Sequence, residues 1–158
     1  MAAAAFNPYL DPFLSMVRFV SAVAQQAQVN GLVATVPSVI NLDAHADINE
    51  LPAADFFSLS GYAMHIHNKL PTVVIGVGIS TYNDPNNIRH MKLMDLMLSS
   101  LLPETRVPIY TNGNVNASAG VMVVADGLVV DPIDRDPQRV FQVMTVRLLP
   151  ASALPSGN

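Results

Sequence analysis

The strongest chemical pair in the chain is His65-x-His67. Side chains two apart on a strand point the same way, so both imidazoles could reach one metal ion. His45 and Asp47 could supply further ligands from the preceding connection. A metal site needs three or four convergent donors, and spacing alone gives only two. The plainer reading is a pair of polar residues on the exposed side of a hairpin. No metal or other cofactor is therefore expected, with the four-residue set kept as the alternative centre of a small metal-binding or hydrolytic module.

Other chemistries are weaker still. Gly76-x-Gly78-x-x-Thr81 lies between a strand pattern and a helix pattern, as a phosphate loop does. The third glycine is missing, and Asp84 puts a carboxylate where the phosphate would sit. Ser58 and Ser60 stand near Asp55 and His65 in sequence, but proximity in sequence does not make a triad. Asp134 and Asp136 sit in a proline-flanked turn, where the simpler role of carboxylates is solvation and turn formation. His90 is expected on a helix surface. No catalytic residue is assigned, and the chain is read as no enzyme.

Composition limits the remaining classes. Of 158 residues, 51% are hydrophobic and only 13% are charged, against about 25% in typical domains. So few charges coat a monomer poorly, which favours a stable oligomer. The net charge is −4 and the eight basic residues are scattered. That is no nucleic-acid footprint. Cysteine is absent, which removes disulfides, thiolate catalysis and cysteine zinc sites together. Met1–Phe6 lacks the basic start of a secretory leader. No apolar run reaches the ~18 residues that a membrane span needs.

The elements that must position these residues follow from periodicity. Asp11–Pro12 is a helix-start signal, and Phe13, Met16, Val17, Val20, Val23, Ala24 and Ala27 recur at three and four. The helix is expected over 12–29, with Gly31 as its stop. Leu32–Val36 and Val39–Leu42 could each form a short strand within a long connection. Ser58–Asn68 and Thr72–Ser80 alternate as two strands of a hairpin. In the second strand Val73, Ile75, Val77 and Ile79 share one face, and Val74, Gly76, Gly78 and Ser80 the other. That second face has little bulk, so a helix or a neighbouring subunit could pack closely there.

Asp84–Pro85 repeats the start signal for a helix over 85–102, striped with Ile88, Met91, Met94, Leu98 and Leu101. The last third reads as strands: Val107–Thr111, Gly120–Ala125, Leu128–Val130 and Arg139–Leu149. Asp126–Gly127 predicts a type I′ hairpin turn. In the last strand Phe141, Val143, Thr145 and Arg147 oppose Val140, Met144, Val146 and Leu148, with Gln142 out of pattern. The whole is a single-domain α+β fold over 11–150. It has an antiparallel or mixed sheet, two amphipathic helices, an arm over 1–10 and a tail over 151–158, both expected to be flexible. Val74, Gly76, Gly78 and Tyr82, with Asn112 and Asn114 in a polar loop, are the candidate oligomer-interface residues.

This order of elements resembles the tail-terminator proteins of tailed bacteriophages. Tyr62–Ile66, Val73–Ser80, Asp84–Leu102 and Val140–Leu149 carry the resemblance. The resemblance implies a non-enzymatic virion protein, assembled in the host cytoplasm. It would form a homo-oligomeric ring, hexameric in that family, that ends tail-tube growth and joins the tail to the head connector. Tail-tube and connector proteins would be its partners. DNA would cross the lumen without specific binding, and no membrane would be involved.

Overall fold

The structure is a computed structural model that describes residues 6–45, 51–67, 70–111 and 118–150. Helix α1 spans Leu10–Val29 and α2 spans Ile88–Ser100. The strands are β1 Ser38–Asn41, β2 Phe56–His67, β3 Leu70–Tyr82, β4 Arg106–Tyr110, β5 Ser118–Val124, β6 Val129–Val130, β7 Asp134–Arg135 and β8 Arg139–Pro150. The fold is α+β, as the sequence patterns require. Asp47, Asn112 and Asn114 lie outside the described residues, as do 1–5 of the arm and the tail 151–158. No described helix is long and apolar enough to cross a membrane.

The strands form one mixed sheet in the order β1-β2-β3-β8-β5-β4, with β6 and β7 also paired to β8. Among the described strands only β1–β2 is parallel. The long β2–β3 hairpin and the β3–β8 ladder form the centre. The edge strands β1 and β4 stand at opposite ends of the order, yet α1 packs against both. The sheet must therefore curl around that helix, with a concave inside and a convex outside.

The concave face is the core. Val73, Ile75, Val77 and Ile79 of β3 are at most 3% exposed, and they meet Met16, Val20, Leu93 and Met97 of the helices. The strand alternation therefore chooses the inner face as its periodicity predicts. Helix α1 stops as expected: Gly31, at φ +74°, donates to Gln28, and Leu32 donates back to Ala27. The φ value is one that glycine adopts without strain.

Several expectations fail on tertiary grounds. Asp126–Gly127 is a turn at φ +90° for Gly127, but β5 and β6 do not pair with each other. Each pairs with β8 instead, and the intervening chain donates from Ala125 to Arg147 and from Asp131 to Val143. Leu32–Val36 forms no strand. Helix α2 begins three residues later than the proline signal implies, because Asn83 and Asn87 take positive φ of 56° and 58° to complete a tight turn first. Asparagine tolerates that conformation better than other side chains.

Neither described α-helix packs on the convex face, though Leu42 and Leu51 lie against its β2 end beside Phe56 and Phe141. Register places Val74, Val143, Thr145, Arg147 and Leu149 on this face, then Val123 and Val121 of β5, and Arg106 and Pro108 of β4. Antiparallel sheets with one open face ordinarily alternate apolar inside and polar outside. Here the β8–β5–β4 end of the face is largely valine, leucine and proline, with Leu149 40% exposed, while the β2–β3 end carries Ser58, Ser60, Thr72, Gly76, Gly78 and Ser80.

Candidate functional site

The densest polar cluster lies where β3 ends and β8 and α2 begin. Asp84 is almost fully buried. Its Oδ2 accepts from His90 N at 2.8 Å and from the Thr81 hydroxyl at 3.1 Å, and its Oδ1 accepts from Arg89 N at 3.4 Å. Burial pushes this carboxyl up. The His90 N–H, the Thr81 hydroxyl and the N–H and charge of Arg89 outweigh that and hold it below the ordinary value. The carboxylate therefore caps α2 even though it stands four residues before it.

Asp55 ties the same corner together. It takes Arg89 Nε at 2.6 Å and Nη2 at 2.9 Å, and also Tyr82 N at 2.8 Å. Arg89 Nη2 reaches Tyr82 O at 2.7 Å. The hydrogen bonds that Arg89 donates to Asp55 are the main reason that the Arg89 pKa is raised. Arg139 lies between the Phe56 and Tyr82 rings, 5.0 and 5.4 Å from their centroids. It donates to Ser80 Oγ at 2.9 Å and to the carbonyls of Pro52 and Ala54. Arg135 donates to Asp84 O at 3.0 Å and to Asn87.

His90 is fully buried, which corrects its expected place on the surface. Its Nε2 lies 2.9 Å from Gln142 Oε1, and Gln142 passes its amide on to Asp131 O at 2.8 Å. Gln142 breaks the strand pattern because it points inward to this imidazole. Burial lowers the His90 pKa against the smaller opposing effects of Gln142, Asp84 and Asp55. A neutral ring with no route to solvent suits a latch between α2 and β8. It is poorly placed to meet a substrate.

The candidate metal set is not assembled. His45 lines a recess of about 250 Å³ with Leu42, Leu51, Phe56, Asp134, Asp136, Arg139 and Phe141. His65 is paired with Thr72 at the far end of β2, nine positions from Phe56. That is on the order of 25–30 Å at the usual strand rise. His67 is in β2, and Asp47 is outside the described residues. No group of three or more His, Cys, Asp or Glu among the described residues could hold a metal ion. Asp136 caps its turn by accepting from Gln138 N and Arg139 N, and these bonds depress its pKa.

The interface candidates divide. Gly76 and Gly78 are buried under their own sheet neighbours and are not open to a partner. A Cβ on Gly78 would meet Ser58 Oγ at 2.2 Å and the Phe141 ring at 3.2 Å, and one on Gly76 would meet Ser60 Oγ at 3.0 Å. The close approach inferred from the small residues is real, but it is made within the chain. The same glycines end the phosphate-loop resemblance, since both lie inside β3. Tyr82 is half-buried against Arg139. Val74 is half-buried on the convex face.

Sequence reasoning missed one feature altogether. Tyr9, Leu10, Phe13, Asn41, Asp43 and Tyr62 line a recess of about 320 Å³ at the start of α1. The Tyr62 ring lies 4.9 Å from Tyr9 and 5.2 Å from Phe13. Its hydroxyl donates to Tyr9 O at 2.7 Å, and burial beside Tyr9 pushes its pKa up to about 12. Gly61, at φ +61° in a β2 irregularity, donates to Asp43 Oδ2 at 2.9 Å and so fixes that carboxylate. The glycine before Tyr62 is the only sequence signal for this turn of the chain.

No family model matches the chain, and no curated protein matches it. One solved structure, of a protein whose name states no activity, is similar at a TM-score of 0.48 and 9% identity. The similarity covers 85% of this chain and 94% of that one. Nothing is transferred to this chain at that level of likeness.

Proposed function

We propose that this chain is a non-enzymatic assembly subunit whose copies close into a homo-oligomeric ring, as the tail terminators of bacteriophages do. In that setting the ring ends a tail tube, joins it to the head connector and lets DNA pass without gripping it. The observation that carries the reading is the apolar β8–β5–β4 end of the convex face, Val121, Val123, Leu149 and Pro108, where an open antiparallel face is ordinarily polar. Covering it with a neighbour returns about 25 cal/mol per Å² of apolar surface. The low charge content and the further exposed apolar residues Phe6, Tyr9, Ile88, Met91 and Leu102 support the same reading.

Light scattering of the purified full chain tests it. A single species several times the 16.9 kDa subunit mass is expected. Val123→Asp and Leu149→Asp, both on the convex face, should lower that mass while leaving the circular-dichroism spectrum unchanged. A monomer at high concentration would refute ring formation.

A further inference from the structure

A ring needs two different surfaces on each subunit, one to give and one to receive. Two such surfaces stand at opposite edges of this sheet. Beside β1 is the aromatic recess of Tyr9, Phe13 and Tyr62, with Asp43 in its wall. Tyr9 is 58% exposed and Leu10 47% exposed at its mouth. At the other edge, β4 presents Arg106 on the convex face beside Val123, with Pro108 and Leu149 close by.

The two surfaces match chemically. Aromatic faces attract a guanidinium within about 6 Å of the ring centroid. A carboxylate pairs with the guanidinium fork through parallel hydrogen bonds. Asp43 Oδ2 is held by Gly61 N, and Oδ1 accepts no bond among the described residues. Arg106 is exposed and makes no ion pair or side-chain hydrogen bond among the described residues. Both surfaces also carry apolar neighbours, Tyr9 and Leu10 on one side and Val123, Leu149 and Pro108 on the other. Resting on the assembly reading above, we infer that the recess of Tyr9, Phe13, Tyr62 and Asp43 receives the Arg106 side chain of a second copy. Each copy then gives one arginine and receives one, which is the head-to-tail contact that builds a ring.

Lys92 is an exposed cation on α2, away from the β4 edge, that makes no ion pair among the described residues, and it serves as the control. The experiment is light scattering across a concentration series on the full chain, with circular dichroism to establish folding. Asp43→Arg and Arg106→Asp should each raise the dissociation concentration by about tenfold or more. The double variant Asp43→Arg/Arg106→Asp should restore assembly, because the charges are exchanged. Tyr9→Ala should weaken assembly, and Lys92→Asp should leave it close to wild type.

Folded single variants that assemble normally would overturn this contact and leave the ring reading standing. Dissociation by both singles without rescue in the double would overturn it too, as would a Lys92→Asp effect equal to that of Arg106→Asp. A monomeric wild type would remove the ring reading itself.

Discussion

His90 Nε2 stands 2.9 Å from Gln142 Oε1, and this bond fastens the first turn of α2 to the middle of the sheet. The other ring nitrogen, Nδ1, is buried with no hydrogen-bond partner among the described residues. The neutral imidazole therefore fits, and a protonated one would bury a new N–H with nothing to accept it.

Acid should loosen this latch. The His90 pKa is lowered in the fold from an ordinary value of 6.5. Below that value the unfolded chain binds a proton that the folded chain resists, so stability is present above about pH 6.5 and is lost as pH falls. Asp84 and Asp55 lie near enough to favour the proton, and Arg89 is the cation on the same turn. The Asp84 pKa is also lowered, so its contribution is lost only in more acid solution, below its ordinary 3.8. Melting temperature measured from pH 7.5 to 5 should fall for wild type and fall less steeply for His90→Gln. Equal slopes would place the titration elsewhere.

Gly78 should not accept a side chain. Gly78→Ala puts a methyl against Ser58 Oγ, at 2.2 Å before any shift. A loss of about 1–3 kcal/mol is expected from such overpacking. Ser58 Oγ is itself buried without a partner among the described residues, so Ser58→Ala should be close to neutral. The double variant should recover part of the Gly78→Ala loss. Urea denaturation of the four proteins gives the coupling, and strict additivity would show that this contact is not the cause.

Asp55 should matter more than a surface carboxylate. Its side chain is 15% exposed, and it serves both Arg89 and Tyr82 N. Asp55→Asn keeps the shape and removes the charge, leaving the Arg89 guanidinium short of a partner. A loss of about 1–3 kcal/mol is expected, read as a lower urea midpoint. A midpoint unchanged from wild type would reduce this pair to a solvated contact.

Ile75 is at the centre of the sheet and fully buried. Ile75→Asp places a charge there with no partner, at a cost of several kcal/mol. The variant should fail to fold, giving insoluble protein or a lost circular-dichroism signal. A soluble, normally folded variant would contradict the inward direction of this strand face.

Periodicity carried much of the architecture. The alternation through Val73–Ile79 named the buried face, and the three-and-four recurrence through Met16–Ala27 named the face of α1. These signals are local, because a strand or helix must turn one side of itself to the core whatever lies opposite. Asp84 shows where such reading stops. Its carboxylate caps α2 as its residue type promised, but the start of the helix moved by three residues to let the chain turn at Asn83 and Asn87.

The sequence alone determined that this chain would be an α+β domain with an apolar surplus, since composition and periodicity are properties of the residues themselves. Only the tertiary structure decided that His90 is buried, that Gln142 is its partner, and that His45 and His65 stand apart. It also brought Asp43 beside Tyr62 and left Leu149 exposed at the end of β8. The physical reason is that each of these depends on which strands become neighbours and how the sheet curls around α1. Contacts across 20 to 50 residues of chain leave no periodic trace in the segments that make them.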